Sequence, residues 1–149
     1  MNPPMKDWEK AWLACAVDGE GSIIMQMDQS GVVARLLIYN TKKEFCDFAK
    51  TIVGDGIVYS ESSPRGNRAI SHMFVIRRYA TLRRVLEEIR PFVVIKQQQV
   101  GLMLEFLSAH RFHAHRTADE DMRESALMNR CKSLNMKGRQ LLPENDCHG

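Results

Sequence analysis

The sequence predicts an α+β domain with the element order α-β-β-α-β-β-α and a helical tail, and three observations carry that expectation. Two pairs of short segments alternate with period close to two, each pair joined by polar turn residues, as antiparallel hairpins require. Around them lie segments whose apolar residues recur at three and four positions, the period of helices packed on one side. The chain is 149 residues long, enough for a single domain with a sizeable core. This order implies a four-stranded antiparallel sheet with its helices gathered on one side. Residues 1–149 then form one domain, with a core over about 5–109 and helices in a tail over about 117–149.

Trp8, Ala11, Trp12 and Cys15 predict a first helix over about 5–18. SIIMQMD at 22–28 predicts a strand, DQSG at 28–31 a turn, and VVARLLIYN at 32–40 a second strand. Thr41, with Glu44 three residues on, has the form of a capping box. Phe45, Phe48, Ala49, Ile52 and Val53 continue as a helical stripe that stops at Gly54, a suitable C-terminal residue. Segments 56–61 and 70–77 predict a second hairpin around a loop at 62–67. A helix over about 79–89 carries Leu82, Val85, Leu86 and Ile89 and ends before Pro91. A further helix runs over about 96–109, and an amphipathic one over about 119–134 follows a polar stretch. The two halves share an order without a sequence repeat.

No apolar run approaches the roughly 18 residues of a membrane span, so no membrane partner is expected. The opening Met1-Asn2-Pro3-Pro4 has neither the basic nor the apolar segment of a secretory signal. Cys15, Cys46, Cys131 and Cys147 lack Cys-x-x-Cys spacing and read as reduced thiols, not a disulfide framework. The net charge of +3 is unevenly placed: residues 1–63 hold six Lys/Arg against nine Asp/Glu, and residues 64–149 hold fifteen against nine. Residues 125–143 carry four basic groups and no acid. Such asymmetry suits either a polyanion-binding face or a solvated Arg-rich helix surface.

The stretch Ala11–Ser22, AWLACAVDGEGS, is unusual. Seven apolar residues, Ala11 to Val17, surround the helix on every side, so it is expected to be buried all round. The chain's own core or a partner helix would bury it, and the small residues Ala14, Cys15 and Ala16 would admit a close partner. The apolar run then meets Asp18 and Glu20 at the helix C-terminus, where the helix dipole disfavours acids by roughly 0.3–1 kcal/mol each. Either an exposed turn or a hard divalent cation relieves that cost, since carboxylate and carbonyl oxygens suit magnesium or calcium.

LACAVDGEG, Leu13 to Gly21, resembles the nine-residue motif of the LAGLIDADG homing endonucleases, with Leu13, Ala14, Asp18 and Gly21 identical. RPFVVIKQQQ, Arg90 to Gln99, is similar to a second signature of that family, a Pro-Phe stretch ahead of an active-site lysine. The resemblance covers about residues 8–109. It implies the αββαββα fold with a saddle-shaped four-stranded sheet per subunit. Only one motif occurs, and single-motif members act as homodimers with their motif helices at the two-fold axis. Trp12, Leu13, Ala14, Cys15, Ala16 and Val17 are therefore the expected dimer interface. The implied activity is metal-dependent cleavage of both strands of a long pseudo-palindromic DNA site, for intron homing.

Position by position, the resemblance makes Glu20 the metal-ligand acid, with the Gly21 carbonyl a further ligand, and Asp18 a structural acid at the helix end. Lys96 matches the catalytic lysine; Asn40 and Lys42 are catalytic candidates beside it, for holding water and for positive charge. Magnesium is the implied cofactor, with calcium supporting binding without cleavage. Bases would be read by the sheet face opposite the helices. Strand parity places Ser22, Ile24, Gln26 and Asp28 there with Arg35, Leu37 and Tyr39, and the second hairpin adds Tyr59, Glu61, Arg68 and Arg77. Lys132, Lys137 and Arg139 are expected to contact phosphates without specifying sequence.

A rival reading keeps the fold without cleavage, as an RNA-splicing maturase or a DNA-binding regulator, with intron RNA a partner. Another is a zinc site built from His110, His113 and His115, which would need a fourth ligand; a solvated polar loop competes with it. The family favours organelle-encoded proteins, with a prokaryotic cytoplasm as the alternative location.

Overall fold

The computed structural model describes residues 3–61, 70–111 and 116–140, with side chains described as far as Met136. The elements are α1 (Asp7–Glu20), β1 (Gly21–Asp28), β2 (Gly31–Asn40), α2 (Lys43–Val53), β3 (Ile57–Glu61) and β4 (Ser71–Ile76). They continue with α3 (Tyr79–Ile89), a 3-10 turn (Arg90–Phe92), α4 (Gln97–Ala109) and α5 (Ala118–Gln140). The α+β architecture and the expected order are both present. The strands form one antiparallel sheet in the order β1-β2-β4-β3, so two hairpins meet along β2 and β4.

Alternation decides which face is buried. Ile23, Met25, Val32, Ala34, Leu36, Ile38, Phe74 and Ile76 point one way and join Leu13, Val17, Leu82, Leu86, Met103 and Phe106 in one core. Among the described residues no helix lies across the other face. Leu37 and Val75 are also buried, at 5% and 1% exposure, although they point away from the helices. They stand side by side on the two central strands, flanked by Ser22 on β1 and Ile57 on β3.

One local expectation is corrected. The Thr41 capping box does not form; α2 begins one residue later, with Lys42 at its N-cap position. The Asn40 side chain competes for that turn, its Oδ1 accepting the Lys42 N–H at 2.8 Å. Within one chain the first helix is buried on one side: Leu13, Ala14, Ala16 and Val17 are inside, while Trp8, Ala11, Cys15 and Gly19 form an exposed strip. Trp12 is half-buried against Phe45 and Phe48 of α2, with ring centroids 4.8 and 4.7 Å away. α2 ends as expected, at Gly54 in the left-handed conformation with φ 80°.

α5 closes the outer edge of β1. The Ile23 carbonyl on that edge accepts from Asn135 Nδ2 at 3.0 Å and from the buried Cys131 Sγ at 3.5 Å. The root of α5 is held by charge. Glu124, only 2% exposed, takes His110 Nδ1 at 2.8 Å on one oxygen and the Arg116 guanidinium on the other. His110 thus packs between α4 and α5, against the rings of Tyr79 and Phe106; His113 and His115 lie outside the described residues. Among the described residues no cluster of three or more His, Cys, Asp or Glu is placed to hold a metal.

Removing one partner of a buried ion pair strands the other, at a cost of about 3–5 kcal/mol. Arg116 is partly exposed and keeps Asp121 at 2.9 Å, so Glu124→Ala is expected to cost less, about 2 kcal/mol. Denaturant unfolding of the two proteins checks this, with α5 amides losing hydrogen-exchange protection first.

Candidate active site and nucleic-acid face

α1 runs into β1 with no intervening residue, and Gly21 makes that junction. Its N–H donates to the Val17 carbonyl, and a Cβ at this position would lie 2.7 Å from both the Cα and the O of Val17. No larger residue fits without moving backbone.

The end of α1 meets the start of α4. The Asp18 carboxylate accepts three backbone N–H groups: Val94 at 2.8 Å, Ile95 at 3.1 Å and Lys96 at 3.0 Å. In return the Lys96 ammonium donates to the carbonyls of Val17 at 2.8 Å and Asp18 at 2.9 Å. α1 has no basic residue in its own last turn, and α4 has no acidic residue in its first. Each helix therefore takes its dipole-compensating charge from the other. Burial pushes the Lys96 ammonium below the usual lysine range, and the negative charges of Asp18 and Glu20 oppose that shift.

Glu20 is different. It is exposed and makes no hydrogen bond or ion pair among the described residues. Asn40 lies two residues past Ile38, the β2 partner of Gly21, so the sheet brings it to the same junction. Lys42, next to it, is exposed.

The open sheet face carries rows of side chains set by register. Tyr39, Met73 and Tyr59 make one row near the junction, and Glu61 pairs with Ser71 beside it. Ile24 faces Arg35 and Gln26 faces Val33 further out. Arg77 lies over the Tyr59 ring at 5.6 Å and, with Asp28, Val33, Ala34, Arg35 and Tyr79, lines a cavity of about 300 Å³. The Asp28 carboxylate is held by the Ser30 N–H and hydroxyl at 2.7 and 2.6 Å, which lowers its pKa from the usual value.

No protein-family model and no curated protein matches the sequence. The structure does match. The homing endonuclease I-CvuI, in complex with its target in the presence of calcium, aligns with a TM-score of 0.72 at 20% identity, over 85% of this chain and 82% of that one. The homing endonuclease I-TnaI aligns with a TM-score of 0.65 at 16% identity, over 91% of this chain and 99% of that one. The LAGLIDADG homing endonuclease I-GzeII, in complex with its DNA target, gives 0.66 at 16%, over 87% of this chain and 44% of that one. The chain has the LAGLIDADG homing endonuclease fold.

Within that fold, Asp18, Glu20, Gly21 and Lys96 come together at one junction, with Asn40 and Lys42 beside it. Ser22, Ile24, Gln26, Asp28, Arg35, Tyr39, Tyr59, Glu61 and Arg77 share the open face. Leu37 is corrected: it shares the face but is buried between Ser22 and Val75, so it presents almost no surface. Of the expected interface set, Leu13, Ala14, Ala16 and Val17 lie in the chain's own core, Cys15 is exposed and Trp12 is half-buried. Lys132 is exposed on α5 beside Ile24 and Gln26. Arg68 and the side chains of Lys137 and Arg139 lie outside the described residues. Sequence reading missed Val33, Ser71 and Met73; counting by twos from Arg35 and back from Arg77 reaches all three.

Asp18→Asn leaves one acceptor oxygen for three N–H groups and turns an amide toward the others. Hydrogen bonds to a charged group are each worth about 1.5–3 kcal/mol, so the variant is expected to lose about 2–3 kcal/mol in denaturant unfolding. Amides 94–96 should lose exchange protection in the same protein.

Proposed function

We propose that this chain is a divalent-metal-dependent, site-specific DNA endonuclease that works as a homodimer and cleaves both strands of a long pseudo-palindromic target, as in intron homing. The observation that carries this reading is Glu20: an exposed carboxylate with no hydrogen bond or ion pair among the described residues, at the junction where the open sheet face begins. A carboxylate at the negative end of a helix costs roughly 0.3–1 kcal/mol, a cost that a bound cation would relieve.

The donor set fits magnesium. Both Asp18 oxygens are engaged by backbone N–H groups, so one chain offers the Glu20 carboxylate and backbone oxygens such as that of Gly21. Magnesium is commonly held by one or two carboxylates together with substrate phosphates, not by an all-protein cage. A divalent cation there would stabilise charge on the attacking and leaving oxygens of a phosphodiester. I-CvuI structures with DNA in calcium and in magnesium support the same choice. Asn40 would hold a water through its amide N–H groups, because its Oδ1 is occupied by Lys42. Lys42 would add positive charge near the phosphate.

Gln26, Arg35 and Arg77 suit base edges in a major groove, with Tyr39, Met73 and Tyr59 as apolar and aromatic contacts. Lys132, Lys137 and Arg139 would contact phosphates and make affinity fall steeply with salt. The dimer would form across the exposed strip Trp8, Ala11, Cys15 and Gly19. Val94 and Ile95, 78% and 73% exposed beside the end of α1, extend that apolar surface.

The test begins with a duplex selected from a random library for binding in calcium, then assayed for cleavage in magnesium. Glu20→Gln keeps the shape and removes the ligand charge; cleavage should fall at least a hundredfold while calcium-supported binding survives. Near-normal cutting by that variant refutes the role of Glu20. Retention of an RNA with no cleavage by the unmutated protein would favour the maturase reading instead.

Cys15→Arg places a charge on the exposed strip without entering the core. It is expected to yield a folded monomer in sedimentation, with two-strand cleavage abolished. A monomeric unmutated protein, even with its duplex, would end the homodimer proposal.

A further inference from the structure

We propose that Lys96 is a positioning residue: its ammonium acts through the last turn of α1, which it holds in place for Glu20, and not by touching the scissile phosphate. This rests on the endonuclease reading. Both ends of the residue are fixed against the last turn of α1. Its backbone N–H is held by the Asp18 carboxylate, and its Nζ donates to the carbonyls of Val17 and Asp18 at 2.8 and 2.9 Å. An ammonium has three N–H donors, so at most one remains for any other group.

The carbonyls it holds matter. The Val17 oxygen also accepts the N–H of Gly21, so a single atom ties together α1, the first residue of β1 and Lys96. Glu20 lies between those two anchors, two residues after Asp18 and one before Gly21. Releasing the carbonyls would let the last turn fray, and the carboxylate would lose its fixed direction. Half-burial of the side chain, among the terminal carbonyls of α1, keeps it where it is.

The two roles predict different kinetics. A group that only positions a ligand affects how tightly the cation is held, by about 10–100-fold, and extra cation restores the reaction. A group that stabilises the transition state affects the rate at saturating cation, and no excess restores it. Three measurements separate them on the selected duplex: calcium titration of the protein–DNA complex, cleavage against magnesium concentration, and amide exchange at residues 17–21.

For Lys96→Met the expected result is a calcium midpoint raised about tenfold or more. Most of the cleavage rate should return at high magnesium, with faster exchange at 17–21. An unchanged calcium midpoint and unchanged exchange, with cleavage still low at saturating magnesium, would overturn the proposal. If Lys96→Met does not fold, Lys96→Arg carries the same comparison. Arg keeps the charge but changes how the N–H groups reach the two carbonyls, so positioning predicts a shifted midpoint and charge stabilisation predicts none. If the unmutated protein itself shows no calcium-dependent DNA affinity, the endonuclease reading fails and this proposal with it; a defect confined to the variants bears on Lys96 alone.

Discussion

Two helix ends, each lacking a compensating charge of its own, face one another in this protein and neutralise each other. The negative end of α1 receives the Lys96 ammonium, and the positive end of α4 receives the Asp18 carboxylate. Either half alone is weak by the standards of helix-terminal charges, about 0.3–1 kcal/mol and up to about 2 kcal/mol when partly buried. Joined, they share atoms: Asp18 gives its side chain to one contact and its carbonyl to the other. The contact closes a span of 78 residues, so it fixes one end of the chain's helical layer against the other.

What depends on this contact is the direction of β1. Because α1 passes into β1 through Gly21 alone, the axis of the helix sets where the strand starts, and Gly21 opposite Ile38 sets its register. A slip of one residue would exchange the faces of Ile23 and Ile24 and empty the core. At the far side of β1, Asn135 and Cys131 close the edge through the Ile23 carbonyl, so the strand is fixed at its start and along its outer edge. β3, the opposite edge, is five residues long, which limits pairing with other chains. The catalytic acid proposed for Glu20 and the reading face therefore share one rigid reference.

The elements were legible because their signals are local. Period-two alternation found both hairpins, and turn residues found their ends. Gly54 marked the end of α2 because a left-handed cap requires little more than the glycine itself. Thr41 misled because Asn40, one residue earlier, offers the same kind of side-chain acceptor and takes the turn. The all-apolar run in α1 could not say which side faced inward: Ala14 and Cys15 are neighbours of similar size, and only the position of the sheet separates the buried one from the exposed one. His110 read as one of three clustered histidines, whereas its partner, Glu124, stands 14 residues on and carried no pairing signal. The contact between residues 18 and 96 was the least legible. Its one trace in the sequence is negative, a helix end without a base and a helix start without an acid.

That same contact decides what is left for chemistry. Of the two carboxylates in the motif, Asp18 has both oxygens engaged, so one chain presents one uncommitted acid at the end of α1. Under the proposed function, cutting two strands would need two such acids, and this chain has one motif from which to provide them. In the proposed homodimer, a two-fold axis along the exposed strip of α1 would provide the second with no new sequence. Ala11, Cys15 and Gly19 on that strip are small and would let a second α1 approach closely, with Trp8 at its start. On the proposed function, one chain would supply half of what two-strand cleavage requires, and a second copy the other half.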